Sequence, residues 1–202
     1  MNANEIVVEL EILHRESILL WKENAALPTQ VGFLKLVEDN HAFNYQLWHE
    51  EDKARRDDKG FEFVYHAKRN IDGFNQQRNN CMELMDKFLY QSLKPVDSTT
   101  GICPVHSETP GMMIDRLSIL SLKQYHMTQQ TLRSDVGDDH RHTCLHKLAL
   151  MNHQKNQLLN CLQIFLQEIA DKTRTFTLYH QLKMYNDKTL NPELYNNALA
   201  TK

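Results

Sequence analysis

The sequence predicts an all-α fold: a bundle of five long helices plus a short C-terminal helix, with no sheet. Three observations predict it. Apolar residues recur at steps of three, four and seven along most of the 202 residues. Helix breakers are few, six glycines and five prolines, and most fall between the periodic segments. No stretch alternates long enough for a strand, since "FEFVY" at 61–65 does so briefly and runs on into a helical pattern. A chain of this length is expected to form a single domain over 1–202 with a sizeable core.

Each element has its own signal. The first helix is expected over 4–26, with Ile6, Leu10, Leu13, Leu20 and Trp21 on one face. Pro28 disfavours a helical Leu27, and Thr29 is expected to cap the next helix. That helix spans 30–56, with Val37, Asn44, Leu47, Trp48, Glu51 and Arg55 near one stripe. "RDDKG" ends it, and a third helix over 61–93 carries Val64, Ile71, Asn75, Arg78, Met82, Met85 and Leu89. A loop of about 14 residues follows, longer than most helix–helix connections and for that reason a functional or disordered candidate. Thr109 is placed as an N-cap and Pro110 as the first residue of a fourth helix reaching 133. After "SDVGDD" a fifth helix covers 139–172, its face formed by Leu145, Leu148, Met151, Leu158, Leu162, Phe165 and Ile169. A short sixth helix is expected over 176–186, and 187–202 as a loosely held tail.

Composition excludes some classes of function. A net charge of -3 gives no electrostatic basis for binding nucleic acid or an anionic membrane. No apolar run reaches the roughly 18 residues of a membrane span. "MNANEIVVELEILHRE" is acidic and mixed, unlike a secretory signal. Cys81, Cys103, Cys144 and Cys161 are scattered and form no CxxC, so they read as free thiols in a reducing, cytoplasmic setting.

Polar residues interrupt three of the apolar faces. The second helix continues its stripe into Glu51 and Arg55. The third passes through Asn75 and Arg78, with Asp72 and Asn79 beside them. The fourth carries Asp115 and Arg116 inside an apolar cylinder, and Lys123 two turns on. Buried charges must pair, reach water or bind something. The plainest outcome is an ion-pair network that fixes helix register, with Glu51 and Arg55 as i, i+4 partners and Asp115 meeting Arg78 or Arg55. The other outcome is a polar pocket between facing helices. The excess of donors and acceptors on three helices favours the pocket, since register alone needs only one or two polar residues.

Three blocks carry these residues: "LWHEEDKAR", "KRNIDGFNQQRNN" and "ETPGMMIDRLSILSLKQYHM". They resemble the signature blocks of an uncharacterised bacterial family, catalogued as a domain of unknown function. The resemblance covers roughly 30–170. It carries over Trp48, His49, Glu50, Glu51, Asp52, Arg55, Arg69, Asp72, Asn75, Arg78 and Asn79, then Glu108 to Gly111, Asp115, Arg116 and Lys123. It implies a mostly helical bacterial protein and supplies no chemistry.

Several chemistries suit this set. An anion or phosphate could be held by Arg55, Arg69, Arg78, Arg116 and Lys123, with backbone N–H groups at Gly111 and Met112 opening the fourth helix. Glu108 could instead satisfy that helix end. A divalent cation such as magnesium could sit on Glu50, Glu51, Asp52 and Asp72. All-α nucleotide pyrophosphohydrolases use ExxE facing ExxD, a pattern broken here because Lys53 and Ala54 stand where the second glutamate is needed. Glu83 and Asp86 form an ExxD read as solvent-facing. His142, His146 and His153 share a helix face near Asp138 and Asp139, a weak zinc pattern, and Cys103 with His106 is weaker still. Ser107, Ser118, Ser121 and Cys103 lack a nucleophile elbow, and Ser118 and Ser121 are expected to bond back within their helix. His49, Glu51, Asp72 and Asp115 are the acid–base candidates. Arg55, Asn75, Arg78, Gly111 and Arg116 are the ligand-binding ones. The expected function is binding, or acting on, a phosphorylated or anionic small molecule such as a nucleotide or sugar nucleotide. The alternative is a non-catalytic adaptor or homo-oligomerising bundle whose charges are structural.

Overall fold

A computed structural model describes residues 2–23, 29–182, 184 and 187–194. Five long helices carry the fold: α1 (Ala3–Glu23), α2 (Gly32–Lys53), α3 (Phe61–Leu93), α4 (Pro110–Thr131) and α5 (Asp138–Ala170). A 3-10 turn at Asp57–Lys59 joins α2 to α3, and two-residue strands β1 (Val105–His106) and β2 (Thr175–Phe176) pair in parallel. The chain is thus a helical bundle, as its periodicity predicts, with a small sheet that its sequence did not announce. No helix among the described residues is long and apolar enough to cross a membrane.

The main core is where α1, α2, α3, α4 and α5 turn their apolar faces together. Leu10, Val37, Met85, Ile114, Leu162 and Phe165 belong to it. α1 contributes Ile6, Leu10, Leu13 and Trp21 at helical spacing, but Leu20 stays exposed. Beyond the core, α2 and α3 continue as a pair around a smaller cluster of Leu47, Ala54, Ala67 and Ile71. On α5 the apolar face is unevenly used: Leu162, Phe165 and Ile169 are buried, while Leu145 is exposed.

The helix ends correct several expectations. The break at Leu27 and Pro28 lies outside the described residues. Thr29 does not cap α2, whose N-cap is Val31 without a side-chain bond. Instead, the buried Glu38 reaches back past the start of the helix to residues eight and nine earlier, accepting from Thr29 N (2.8 Å), Thr29 Oγ1 (3.0 Å) and Gln30 N (2.8 Å). The long loop after α3 is tied down. Lys172 Nζ donates to the carbonyls of Leu93 (2.6 Å) and Lys94, and the register Val105↔Thr175, His106↔Phe176 pins its far end. The expected short helix over 176–186 does not start there: Phe176 is in β2, 177–182 carries no regular structure, Met184 lies in a 3-10 turn, and 183, 185 and 186 lie outside the described residues, while a short helical turn follows at 192–194. Residues 195–202 of the expected tail lie outside the described residues.

Thr109 caps α4 as expected, its Oγ1 accepting from Met112 N at 3.2 Å. The further partner of that helix end is Asp86 of α3, which is buried rather than solvent-facing. Asp86 Oδ1 accepts from Gly111 N at 2.7 Å, and Thr109 Oγ1 donates to Oδ2 at 2.5 Å. A carboxylate at a helix N-terminus satisfies free N–H groups and opposes the helix dipole. Burial pushes the Asp86 carboxyl up to about 6, although both hydrogen bonds pull it down. The folded protein therefore keeps this proton where the unfolded chain, near 3.8, has released it. Its stabilising contribution is full below the unfolded value and is lost as pH rises through about 6. Asp86→Asn is expected to flatten the melting temperature between pH 4 and 7, at about the range this linkage spans. Melting curves of variant and wild type with the same slope over that range would refute the assignment.

Candidate functional site

The polar layer lies between the two apolar clusters. On α2 it falls between Val37 and Leu47, on α3 between Ile71 and Met85. Its centre is Asp115 of α4, 4% exposed. Asp115 Oδ1 accepts from Asn40 Nδ2 (3.0 Å) and Asn44 Nδ2 (2.9 Å), and Arg78 Nε stands 3.4 Å away as its ion partner. Among the described residues Arg78 Nε has no hydrogen bond of good geometry. Charge, not a formed bond, holds the guanidinium over the carboxylate.

The network continues inward with a defined direction. Asn44 Nδ2 also lies 2.9 Å from Ser118 Oγ, which is 2.7 Å from His41 Nδ1, and His41 Nε2 is 3.0 Å from the carbonyl of His14. A carbonyl only accepts, so Nε2 carries the proton and Nδ1 accepts from the Ser118 hydroxyl. Asn44 can then donate to Ser118 without conflict. Burial lowers the His41 pKa to about 3, which agrees with this neutral tautomer. The His14 ring lies 4.6 Å from that of His41, tilted by 40°, and is also held well below the usual range by burial. Ser118 therefore does not bond back within its helix, whereas Ser121 does, to the Leu117 carbonyl at 3.0 Å.

Above Asp115 a cleft of about 320 Å³ opens between α2, α3 and α4. Trp48, Glu51 and Asp52 line it from α2, Arg55 from just past the helix end, Arg78 from α3 and Ile119 from α4. Glu51 and Arg55 pair at 2.7 Å, and Trp48 stacks on His126 at 4.2 Å with the rings 2° apart. The Glu51–Arg55 pair is largely solvated and contributes little stability. Its side chains are thus free to exchange partners for a ligand.

The structure gathers some candidates and separates others. Glu51, Arg55 and Arg78 share the cleft, with Asp115 behind Arg78. His49 is exposed, with its ring edge on Tyr45 at 4.6 Å, and does not line the cleft. Asp72 is exposed beside Arg69 at 3.4 Å, and Asn75 is half-buried outside the cleft. Gly111 is packed against α3 with its N–H taken by Asp86, so this helix end offers no free donor there. Arg116 lies on the other side of α4, paired with Glu108 Oε1 at 2.6 Å and Oε2 at 2.8 Å. The four carboxylates proposed for a metal are not brought together: Glu51 and Asp52 line the cleft, with Glu51 paired to Arg55, whereas Glu50 pairs with Lys53 (2.6 Å) and Asn70 (3.1 Å) and Asp72 with Arg69. No group of three His, Cys, Asp or Glu side chains is placed to hold a metal among the described residues, the histidines of α5 included.

Asn40, His41 and Ser118 were missed as site residues. Asn40 and His41 stand three and four residues after Val37 and before Asn44, so the same helical spacing that found Asn44 points to them.

The fold and site define a class: a helical bundle crossed by a buried polar layer and opened to solvent by a polar cleft above it. The family described as "Protein of unknown function (DUF4254)" matches residues 34–178, and the chain belongs to it. The match spans α2 to β2 and so contains the whole layer and cleft. No curated protein and no solved structure matches the chain.

Proposed function

We propose that the cleft between α2, α3 and α4 binds a phosphorylated or otherwise anionic small molecule, a nucleotide or a sugar nucleotide. The observation that carries this reading is Arg78. It lines the cleft and is braced from below by Asp115, whose Oδ1 lies 3.4 Å from its buried Nε. A guanidinium held in place by a buried carboxylate is oriented before the ligand arrives, which lowers the entropy lost on binding. Its planar fork matches phosphate oxygens. Arg55 supplies a second cation, and Glu51 and Asp52 supply acceptors for hydroxyl or amino groups on the same ligand.

A second reading, a bundle whose buried charges only fix packing, has one observation in its favour. Asp115 finds its partners within the protein, in Asn40 and Asn44 as well as Arg78. Thermal denaturation with uridine and adenosine monophosphates and their diphosphate sugars separates the two. A ligand at a hundred times its Kd adds about 2.7 kcal/mol, a rise in Tm of roughly 5–10 °C for a protein of this size. Arg55→Ala and Arg78→Lys are expected to remove most of that rise, since lysine keeps the charge on Asp115 but not the fork. No rise with any of these compounds, or a rise that survives both variants, would favour the packing reading.

A further inference from the structure

The cleft does not end at α4. Ile119, which lines it, also lines a groove of about 640 Å³ between α4 and α5. Trp48 and Asp52 line both the cleft and a third hollow of about 320 Å³, and that hollow shares Lys123 with the groove. The three hollows are thus neighbours along α4, the cleft meeting the groove at Ile119 and the third hollow meeting the groove at Lys123.

The side chains along the hollows differ in kind. At one end are Arg78 and the Trp48–His126 stack. At the other, α5 offers the carboxamides of Gln154 and Gln157, each able to donate and accept. Between them Arg116 and Lys123 lie seven residues apart on α4, about 10 Å along its axis. Arg116 is occupied by Glu108, whereas Lys123 is exposed and has no ion pair or hydrogen bond among the described residues. An unpaired cation at the meeting point of two hollows fits a bridging anion. The cleft alone is at the small end of the about 300–1,000 Å³ usual for ligand sites, and the groove adds a full second compartment.

We infer that the ligand is a two-part molecule joined by a diphosphate, a nucleoside diphosphate sugar. One part occupies the cleft at Arg78, the diphosphate passes Lys123, and the hydroxyl-rich part lies in the α4–α5 groove against Gln154 and Gln157. This rests on the cleft reading above and adds a second subsite to it.

Titration calorimetry of the purified protein with uridine and adenosine monophosphates and with UDP-glucose and ADP-glucose tests it. At least one diphosphate sugar is expected to bind about tenfold tighter than its monophosphate, a gain of the size a new charge-assisted contact gives. Lys123→Ala, an exposed position where truncation leaves the fold intact, is expected to erase that gain, and Gln157→Ala to reduce it. Monophosphate binding without the gain, or a gain that survives Lys123→Ala, overturns the second subsite and leaves the cleft reading standing. Failure of all four probes to bind overturns both.

Discussion

Asp115→Ala is expected to destabilise the protein by about 3–5 kcal/mol, because it removes the acceptor that Asn40 and Asn44 share and leaves the Arg78 charge unpaired at a buried layer. Asn40 and Asn44 are almost fully buried, so water cannot replace the lost oxygen for them. Arg78 is 27% exposed and recovers part of its solvation, which keeps the cost from rising further. For a chain of this size that loss lowers Tm by roughly 10 °C. Asp115→Asn separates charge from hydrogen bonding. It retains an oxygen where Oδ1 accepts from both asparagines and loses only the attraction to Arg78, a cost of about 1–2 kcal/mol. Urea denaturation of both variants reads the difference. Equal costs would mean that the ion pair, not the asparagine bonds, holds the layer. Two variants as stable as wild type would mean that the layer contributes nothing to the fold.

Gly111→Ala is the other substitution with a large expected effect, about 2–3 kcal/mol, in the range of overpacked cores. A Cβ there would lie 2.6 Å from the Met82 carbonyl oxygen and 2.8 Å from Asp86 Oδ1. The first is backbone in the middle of α3 and cannot swing aside, so α4 itself must move. That movement also stretches the 2.7 Å bond from Gly111 N to Asp86. Alanine's better helix propensity returns at most about 1 kcal/mol. Gly73 is the control: it is also helical, but an added Cβ meets nothing within 4 Å, so Gly73→Ala is expected to stabilise by about 0.5–1 kcal/mol. Chemical denaturation in which the two alanine variants behaved alike would refute the close approach of α3 and α4.

The glycine shows how far a sequence carries an argument. "ETPGMM" announces a helix start, and Thr109 and Pro110 perform as their types predict. The glycine at the next position reads equally well as an opening for a phosphate or as close packing. The choice depends on Asp86, 25 residues earlier, arriving on the facing helix. The pair Glu51 and Arg55 was legible for the opposite reason: both partners lie on one helix, where spacing fixes their distance. Asp115 and Arg78 were legible as residues in need of partners. Asn40 was legible by spacing as part of the same stripe but not by partner, since an asparagine on a half-apolar face looks the same whether it meets solvent or a carboxylate.

The sequence by itself determined the five long helices, most of their ends and the residues that interrupt their apolar faces. These follow from local physics: periodicity sets which face is buried, and prolines, glycines and caps set where a helix stops. Only the tertiary structure decided which interrupting residues meet. It put Asn40, Asn44, Arg78 and Asp115 into one layer, left Asp72 beside Arg69 in solvent, and gave the N-terminus of α4 to Asp86. It also drew two-residue strands from segments far apart in the chain, at Val105–His106 and Thr175–Phe176. The physical reason is common to all of these. A helix fixes the direction of a side chain relative to its neighbours along the chain, but the rotation and offset of one helix against another come from the whole packed core.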